Sequence, residues 1–241
     1  MGPLAYVCVR PQAAAAAGEF ASFRSAMQRD DLAHLDLVTA PLPDDAFDRY
    51  AGFVVGGSPF NLTDPRSAKT EIQLRVESDL QRIAERAAAA GTAALFTCFG
   101  IGIVTRMLGG EVSRAYPEDT GPTTVTLTPA AAADPLFGAL APRFAALTAH
   151  KEGAGAAPPS ATLLATNEAC PVQAYRVGDR LYATQFHPEP TGRAFTERMA
   201  MYREDGYFDA RDYDTIAARV LASPVSEPTR LLRAFASRFG G

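Results

Sequence analysis

The stretch Thr92-Ala-Ala-Leu-Phe-Thr-Cys98-Phe99-Gly100-Ile101-Gly102 passes from an apolar, strand-compatible segment through a cysteine into a glycine-rich, helix-like segment. A strand that ends at a nucleophile and turns at once into a helix is the elbow of acyl-transfer enzymes. The turn leaves little room for side chains, which suits Gly100 and Gly102. The N–H groups and dipole of the following helix favour the thiolate form of Cys98. A buried strand cysteine followed by a loop fits the same residues, so both interpretations stay open.

The size and charge of the chain restrict the class of protein. Its 241 residues are 47% hydrophobic, enough for one sizeable α/β domain. We expect residues 1–241 to form a single domain with a helical C-terminal extension from about 205 to 241. A net charge of -4 gives no basic surface for nucleic acid.

The cysteines and the apolar runs bear on location and on metals. Three cysteines without regular spacing argue against a disulfide framework and fit a reducing, cytoplasmic environment. No CxxC pair or Cys/His cluster suggests a metal site, and we expect no cofactor. The N-terminus lacks the pattern of a signal peptide, and no apolar run approaches the roughly 20 residues that span a bilayer. We therefore expect a cytoplasmic protein that contacts neither membrane nor nucleic acid.

The first half of the chain alternates strands and helices. Strands are predicted at residues 4–9, 34–40 and 50–55, with a helix over about 11–28. A long helix is predicted over about 68–90, where Ile72, Val76, Leu80 and Ile83 recur at helical spacing. The strand before Cys98 follows at once. The order strand, helix, strand indicates a parallel βαβ unit.

The second half reads as a run of strands and then helices. Gly178-Asp179 predicts a hairpin between two of these strands. A single helical turn is expected at 134–138. The predicted strands cover residues 111–116, 123–128, 144–149, 162–166, 172–177 and 181–186, and the predicted helices cover 192–203, 213–221 and 228–239.

A glycine pair follows the strand at residues 50–55, in the sequence Gly56-Gly57-Ser58-Pro59. Glycines at a strand's carboxyl end let the backbone approach a ligand closely. In open α/β sheets, that end of the strands is where ligands bind. An ordinary turn would also explain a lone glycine pair.

A cysteine nucleophile needs a base, and His187 is the best placed of the three histidines. It ends a predicted strand in Gln185-Phe186-His187-Pro188-Glu189. Glu189, two residues later, can reach back to the imidazole and orient it, as the third member of a catalytic triad does. Together with Cys98 and the glycine pair, this motif favours a nucleophilic site over a buried thiol.

These three motifs resemble the class I glutamine amidotransferases of the triad type. The resemblance runs from Tyr50 to about Glu189 and is greatest to the glutaminase domain of GMP synthase and its stand-alone relatives. It implies a flavodoxin-like, mostly parallel central sheet with helices on both faces. It also implies attack on the side-chain amide of a γ-glutamyl group, through a thioester.

The resemblance implies a role for each matching residue. Cys98 would attack the γ-carbonyl carbon, and His187 would help form the thiolate, protonate the leaving amine and activate water. Glu189 would orient His187. The backbone N–H groups of Gly57 and Phe99 would form the oxyanion hole.

The sequence departs from the family pattern on both sides of the cysteine. Phe96 stands where the family usually has glycine, and Gly102 stands where the family has a glutamine that helps bind the substrate's amino-acid end. A site that lacks this polar contact can accept a larger or altered γ-glutamyl group.

Further substrate-binding residues are expected around the nucleophile. Gly56 and Ser58 flank the oxyanion strand end, and Gly102 lines the elbow. His150 and Lys151 lie where GMP synthase-like domains have a histidine-containing segment near the substrate, and Lys151 could meet a carboxylate. A solvated loop is the alternative interpretation of residues 150–152.

Three functions remain open. A glutaminase would release ammonia from glutamine for a separate synthetase partner. A stand-alone γ-glutamyl hydrolase or transferase would act on a γ-glutamyl amine, peptide or conjugate, and the replacement of glutamine by Gly102 favours it. A non-catalytic relative would bind a ligand or partner, and the presence of Cys98, His187 and Glu189 argues against this third function.

Overall fold

The computed structural model describes residues 2–241. This part of the chain forms one nine-stranded sheet with helices on both faces. In chain order the strands and α-helices are β1 Leu4–Cys8, α1 Ala13–Met27, β2 Ala33–Asp36, α2 Ala46–Arg49, β3 Gly52–Val55, α3 Glu71–Ala88, β4 Ala93–Thr97, α4 Phe99–Met107, β5 Glu118–Leu127, β6 Arg143–His150, β7 Thr162–Thr166, β8 Ala174–Val177, β9 Leu181–Thr184, α5 Gly192–Met201, α6 Tyr213–Ala222 and α7 Glu227–Phe239.

The strand order is β2-β1-β3-β4-β9-β8-β7-β5-β6. The first five strands are parallel, in the doubly wound order expected of a flavodoxin-like fold. The last four are joined to one another and to β9 in antiparallel pairs. The α/β class with helices on both faces is confirmed, whereas "mostly parallel" is wrong in detail, because the pairs divide evenly between the two types.

Hydrophobic patterning accounts for the parallel half. Strands β1, β3 and β4 are apolar and buried along their whole length, as strands covered on both faces are. The hydroxyl of Thr70 accepts the N–H of Gln73 and caps α3. Val76 and Ile83 of α3 are buried, whereas Ile72 in its first turn is 41% exposed because it lies beyond the core.

Of the other secondary-structure predictions for the second half of the chain, some are confirmed and one is wrong. The β8–β9 hairpin forms, with Gly178 at φ +56° in its turn. Residues 111–116 form no strand; only an isolated bridge joins Ser113 to Gly153. The expected single helical turn at 134–138 forms, since the Gly138 N–H donates to the carbonyl oxygen of Asp134 over 2.9 Å, and it follows a 3₁₀ segment at Pro129–Ala133.

The C-terminal helices contribute to the core. Leu231, Leu232 and Phe235 of α7 are completely buried in the cluster that contains Leu4 of β1 and Phe23 of α1. Helices α5 and α6 pack together beside β6. Among residues 2–241, no helix combines the length and apolarity needed to cross a membrane.

Candidate active site

The candidate site lies where four neighbouring strands end at the same edge of the sheet. Strands β1, β3, β4 and β9 are parallel and adjacent, so the residues after each of them converge. These residues are Arg10, the Gly56-Gly57 pair, Cys98 and His187. The structure therefore brings the three predicted motifs together at the edge where open α/β sheets bind ligands.

Cys98 joins β4 to α4 in a rarely populated backbone conformation. Its φ is 49° and its ψ is -103°, outside the regions that are comfortable for a residue with a Cβ. The Cys98 N–H donates to the carbonyl oxygen of Thr184 in β9 over 2.9 Å, which fixes the elbow to the sheet. Phe96 packs against Gly100, where an added Cβ would lie 3.0 Å from the Phe96 side chain. The elbow thus accommodates phenylalanine at position 96 because position 100 lacks a side chain.

The strain at Cys98 predicts an unusual stability order. Cys98→Gly should be more stable than Cys98→Ala by about 1 kcal/mol, because only glycine adopts this φ and ψ without a Cβ clash. Thermal unfolding of the two variants measures the difference. At Cys8, within the regular strand β1, the order should reverse by about 0.5–1 kcal/mol. If alanine is more stable than glycine at Cys98 as well as at Cys8, the elbow is not strained.

His187 is held by both its backbone and its ring. After β9 the chain crosses to β6, where the His187 N–H donates to the carbonyl oxygen of Leu147 over 2.9 Å. The ring Nδ1 lies 3.1 Å from Oε1 of Glu189. A carboxylate can only accept there, so Nδ1 carries the proton and Nε2 is left for Cys98. Cys98 and His187 line the same cavity, and the Cys98 thiol lies 3.9 Å from the carbonyl oxygen of Ala149.

Electrostatics favour a charged imidazolium beside an ionised carboxylate. Burial disfavours the charged form of His187, but Glu189 and Cys98 outweigh it and raise the pKa of His187 to about 9. Burial likewise disfavours ionised Glu189, but His187 and Arg198 outweigh it and lower the pKa of Glu189 to about 2. The attraction between His187 and Glu189 contributes to both pKa shifts.

A buried network of charges supports this pair from behind. Arg198 on α5 donates through one nitrogen to Oε1 of Glu189 over 2.8 Å and through the other to Oε1 of Glu19 over 2.9 Å. Glu19 on α1 also accepts from Arg10 over 2.8 Å and from the Tyr6 hydroxyl over 2.7 Å. Both carboxylate side chains are fully buried, so each guanidinium compensates charge that water cannot reach.

The two predicted oxyanion donors are in different states. Phe99 is the first residue of α4, so its N–H has no intrahelical acceptor. The Gly57 N–H donates to Oε1 of Glu19 over 3.3 Å. Gly57 itself lies against the base, since an added Cβ would be 2.7 Å from Cε1 of His187. Gly57 could serve an oxyanion only by exchanging Glu19 for it, so its role stays a prediction.

The neighbours of Gly57 are placed differently from each other. Gly56 is not among the residues that line the space around Cys98. An added Cβ at Gly56 would collide with Oε2 of Glu19, so the missing side chain makes room for that carboxylate, and the predicted substrate contact of Gly56 stays a prediction. Ser58 does line the space beside Cys98, and its hydroxyl donates to the carbonyl oxygen of Val9 over 2.7 Å.

The remaining predicted substrate residues, Gly102, His150 and Lys151, line a cavity beside Cys98. An added Cβ at Gly102 would lie 3.2 Å from the side chain of Leu62. The ring nitrogens of His150 are 2.9 Å from Glu118 and 2.8 Å from the carbonyl oxygen of Glu152. Lys151 donates to the carbonyl oxygen of Asp205 over 2.9 Å rather than to a carboxylate. Binding of substrate by His150 or Lys151 stays a prediction.

Two clusters bring possible metal ligands within 4.8 Å of one another, namely Glu19, His187 and Glu189, and Glu118, His150 and Cys170. In the first cluster the carboxylates accept from arginines, as described above. In the second, Glu118 accepts from Thr123 over 2.7 Å and from Asn167 over 2.6 Å, besides Gln173. Protein donors occupy both oxygens of Glu19 and of Glu118, and Oε1 of Glu189, so both clusters are built mainly as hydrogen-bond networks; Oε2 of Glu189 is buried without a hydrogen-bond partner.

Sequence reasoning missed Arg10, Glu19 and Arg198. A usable signal existed for two of them. Glu19 is the only charged residue in the otherwise small and apolar stretch 13–21, and Arg10 directly follows a buried strand. Arg198, on an amphipathic helix nine residues beyond Glu189, offers no local sign of its burial.

Comparisons with known proteins show the family to which the chain belongs. The model of the family "Glutamine amidotransferase class-I" matches residues 33–202. Gamma-glutamyl peptidase 3 of Arabidopsis thaliana is 30% identical over 163 residues, which are 64% of this chain and 60% of that protein. A GMP synthase [glutamine-hydrolyzing] of Thermus thermophilus is 29% identical over 151 residues, which are 62% of this chain and 27% of that protein. The matched regions thus span less than two thirds of either relative.

Solved structures share the fold over nearly the whole chain. A glutamine amidotransferase from Thermotoga maritima superposes with a TM-score of 0.75 at 18% identity, covering 99% of this chain and 97% of that one. A glutamine amidotransferase from Methylobacillus flagellatus gives a TM-score of 0.74 at 19% identity, covering 99% and 94%. Because the family model covers well over half of its residues, this chain belongs to the class-I glutamine amidotransferase family.

Proposed function

We propose that the protein hydrolyses a γ-glutamyl amide through a thioester on Cys98. The observation that carries this proposal is the strained elbow of Cys98 beside a buried His187–Glu189 pair. Strain of this kind persists where the surrounding structure enforces it, and it is concentrated at reactive sites. The relatives named gamma-glutamyl peptidase and GMP synthase support the same class of bond.

The reaction follows from the placement of the groups. The Cys98 thiolate attacks the γ-carbonyl carbon, and the resulting oxyanion accepts from the Phe99 N–H at the start of α4. Imidazolium His187 then protonates the leaving nitrogen, the C–N bond breaks, and a thioester remains. Neutral His187 next takes a proton from water, which attacks the thioester and releases glutamate and the thiolate. Glu189 holds the ring for both proton transfers.

Two fates of the leaving nitrogen fit this site. Ammonia from glutamine could serve a separate synthetase subunit, as the relation to GMP synthases suggests. Alternatively, a γ-glutamyl amine or peptide could be hydrolysed without a partner, as the name of the Arabidopsis relative suggests. Gly102 leaves the substrate side of the elbow without a side chain that could select glutamine.

Turnover assays test the proposal. Purified protein is incubated with glutamine and with γ-glutamyl amines and peptides, and glutamate is measured. Release of glutamate from any of these supports the hydrolase. Glutamine turnover that requires an added synthetase identifies the first fate of the nitrogen. If no glutamate forms and an electrophilic glutamine analogue fails to label Cys98, the site is a binding site instead.

The raised pKa of His187 predicts the pH profile of acylation. The folded value, about 9, exceeds the usual 6.5, so the acid form persists at neutral pH and is lost as pH rises through 9. We expect kcat/KM to fall about tenfold per pH unit above 9. The same shift stabilises the fold fully below pH 6.5, and this contribution disappears as pH approaches 9.

The pH profile of a Glu189 variant tests whether the alkaline limb of kcat/KM belongs to His187 or to another titrating group. Because Glu189 is the largest influence that raises the pKa of His187, Glu189→Gln should move the alkaline limb toward pH 6.5. A limb that stays at pH 9 in this variant would show that the limb belongs to another group.

A further inference from the structure

Cys98 lies between two cavities, and most of the residues that line one cavity do not line the other. Four residues face both of them: Ser58, Cys98, Ala149 and Tyr207. A γ-glutamyl amide has two parts on either side of its reacting carbonyl, the glutamyl group and the leaving amine. Two cavities that meet at the nucleophile can hold one part each.

The first cavity, called here the acyl cavity, lies on the α4 side of Cys98. It is lined by Phe99 and Gly102 of α4 and by polar side chains that include Asn61, Lys151 and Gln185. The Phe99 N–H that would hold the oxyanion lies on this side, and the polar side chains of this otherwise apolar cavity suit the charged amino-acid end of a glutamyl group.

The second cavity, called here the amine cavity, contains the base. His187 lines this cavity and is absent from the lining of the acyl cavity. The leaving nitrogen must lie within hydrogen-bond reach of the acid that protonates it. The leaving amine therefore extends into the amine cavity.

The walls of the amine cavity are aromatic and apolar. They come from helix α5 and the segment that follows it, together with β6. The side chains concerned are Phe195, Met199, Tyr202, Tyr207 and Phe208, with Ala149. Rings of this kind bury and stack against apolar groups, and ammonia would gain nothing from them.

The charges at the amine cavity oppose a cationic ligand. Its charged lining residues besides the base are Arg10 and Arg198, and no Asp or Glu of the described chain lines it. Both guanidinium groups already pair with Glu19. A leaving amine with a second, protonated nitrogen would meet arginines and no carboxylate, which disfavours diamines.

We propose that the natural leaving group is an amine that carries an aromatic or bulky apolar side group and no further positive charge. This substrate class rests on the proposed hydrolysis at Cys98. It places the glutamyl group in the acyl cavity and the side group of the amine against Met199 and Phe208. An aromatic amino acid and an aromatic amine share this chemistry and differ in their carboxylate.

Four substrates test the proposal with the intact protein. They are γ-glutamyl-phenylalanine, γ-glutamyl-2-phenylethylamine, glutamine and the mono-γ-glutamyl amide of 1,4-diaminobutane. We expect kcat/KM for the better aromatic substrate to exceed that for glutamine and the diamine by about 10- to 100-fold, as burial of a ring allows. Preference for the phenylalanine compound assigns the carboxylate to Arg10 or Arg198, and preference for the phenylethylamine compound excludes such a contact.

A matched pair of variants on α5 locates the selectivity. Met199 is 4% exposed and lines the amine cavity, whereas Met201 is 47% exposed and does not. Met199→Ala should lower the ratio of kcat/KM for the aromatic substrate to kcat/KM for glutamine by about fivefold or more. Met201→Ala should leave that ratio as it is. Phe208→Ala, at a half-buried position, should lower the ratio similarly and replaces Met199→Ala if that variant does not fold.

The outcomes separate this inference from the function on which it rests. If glutamine or the diamine is hydrolysed as efficiently as both aromatic substrates, or if neither cavity variant changes the ratio, the aromatic leaving group is wrong and the hydrolase stands. If none of the four substrates yields glutamate and Cys98 resists labelling, the hydrolase itself is wrong.

Discussion

Replacing Cys98 by alanine should reduce hydrolysis of any γ-glutamyl substrate by about 10⁴-fold or more, since no other nucleophile lies at the elbow. The fold should survive. Alanine accepts the same backbone conformation no worse than cysteine does, and the removed sulfur leaves a small void, so the unfolding temperature should shift by only a few degrees. Glutamate release tests the loss of activity and thermal unfolding tests the retention of the fold, both measured on the same preparation.

The other cysteines supply the control for this experiment. Cys170 is completely buried, and burial raises the pKa of its thiol to about 11. Cys170→Ala should therefore keep its turnover, and an electrophilic glutamine analogue should label Cys98 alone. Wild-type turnover by Cys98→Ala would remove the nucleophile from the proposed mechanism. Loss of folding in both variants would instead indicate that buried thiols act through packing.

Local motifs explain why the positions of the Cys98 elbow and of His187 could be predicted. Each lies within a few residues of a buried strand's carboxyl end, and parallel strands bring such ends together whatever the intervening sequence. The hairpin at Gly178 was equally local, because its turn residues specify it. The antiparallel pairing of β5 with β6 and β7 depends on contacts between distant segments, which alternation along one strand does not reveal.

The roles of individual residues at the site were less predictable. Gly56 fits a substrate-contacting glycine by position, yet it makes room for Glu19, which lies 37 residues earlier in the sequence. The Gly57 N–H is occupied by the same carboxylate. Pairings of this kind are set by the packing of α1 against the strand ends, so the motif alone predicts where the backbone lies and not which atom it contacts.

Helix α5 contributes both to the buried charge network and to the amine cavity. Through Arg198 it orders the carboxylate that orients His187, and through Phe195 and Met199 it lines the amine cavity. In the proposed mechanism, one helix would thus connect the orientation of His187 to the choice of leaving group. Substitutions of Met199 should consequently change substrate preference, and substitutions of Arg198 should change the pH profile, although both side chains line the amine cavity.

Replacing Arg198 by methionine should lower the free energy of unfolding more than any other substitution proposed here. Arg198 bridges Glu19 and Glu189, whose side chains are fully buried. Removing one partner of a buried ion pair destabilises a protein by about 3–5 kcal/mol, because the remaining buried charge has neither its partner nor water to compensate it. Glu19 retains Arg10 and Glu189 retains His187, so we expect the lower end, about 3 kcal/mol. Thermal and denaturant unfolding measure it.

The pH dependence of that loss distinguishes charge from packing. Without Arg198, the pKa values of Glu19 and Glu189 rise, so the destabilisation should shrink as pH falls and these groups take up protons. Arg193→Ala is the matched control on the same helix. Arg193 forms an ion pair with Glu197, but their side chains are 85% and 59% exposed, respectively, so the pair contributes at most about 1 kcal/mol to stability. If Arg198→Met costs no more than Arg193→Ala, or costs the same at pH 5 and pH 8, then the buried carboxylates do not depend on the guanidinium, and Glu189 must be ordered by His187 alone.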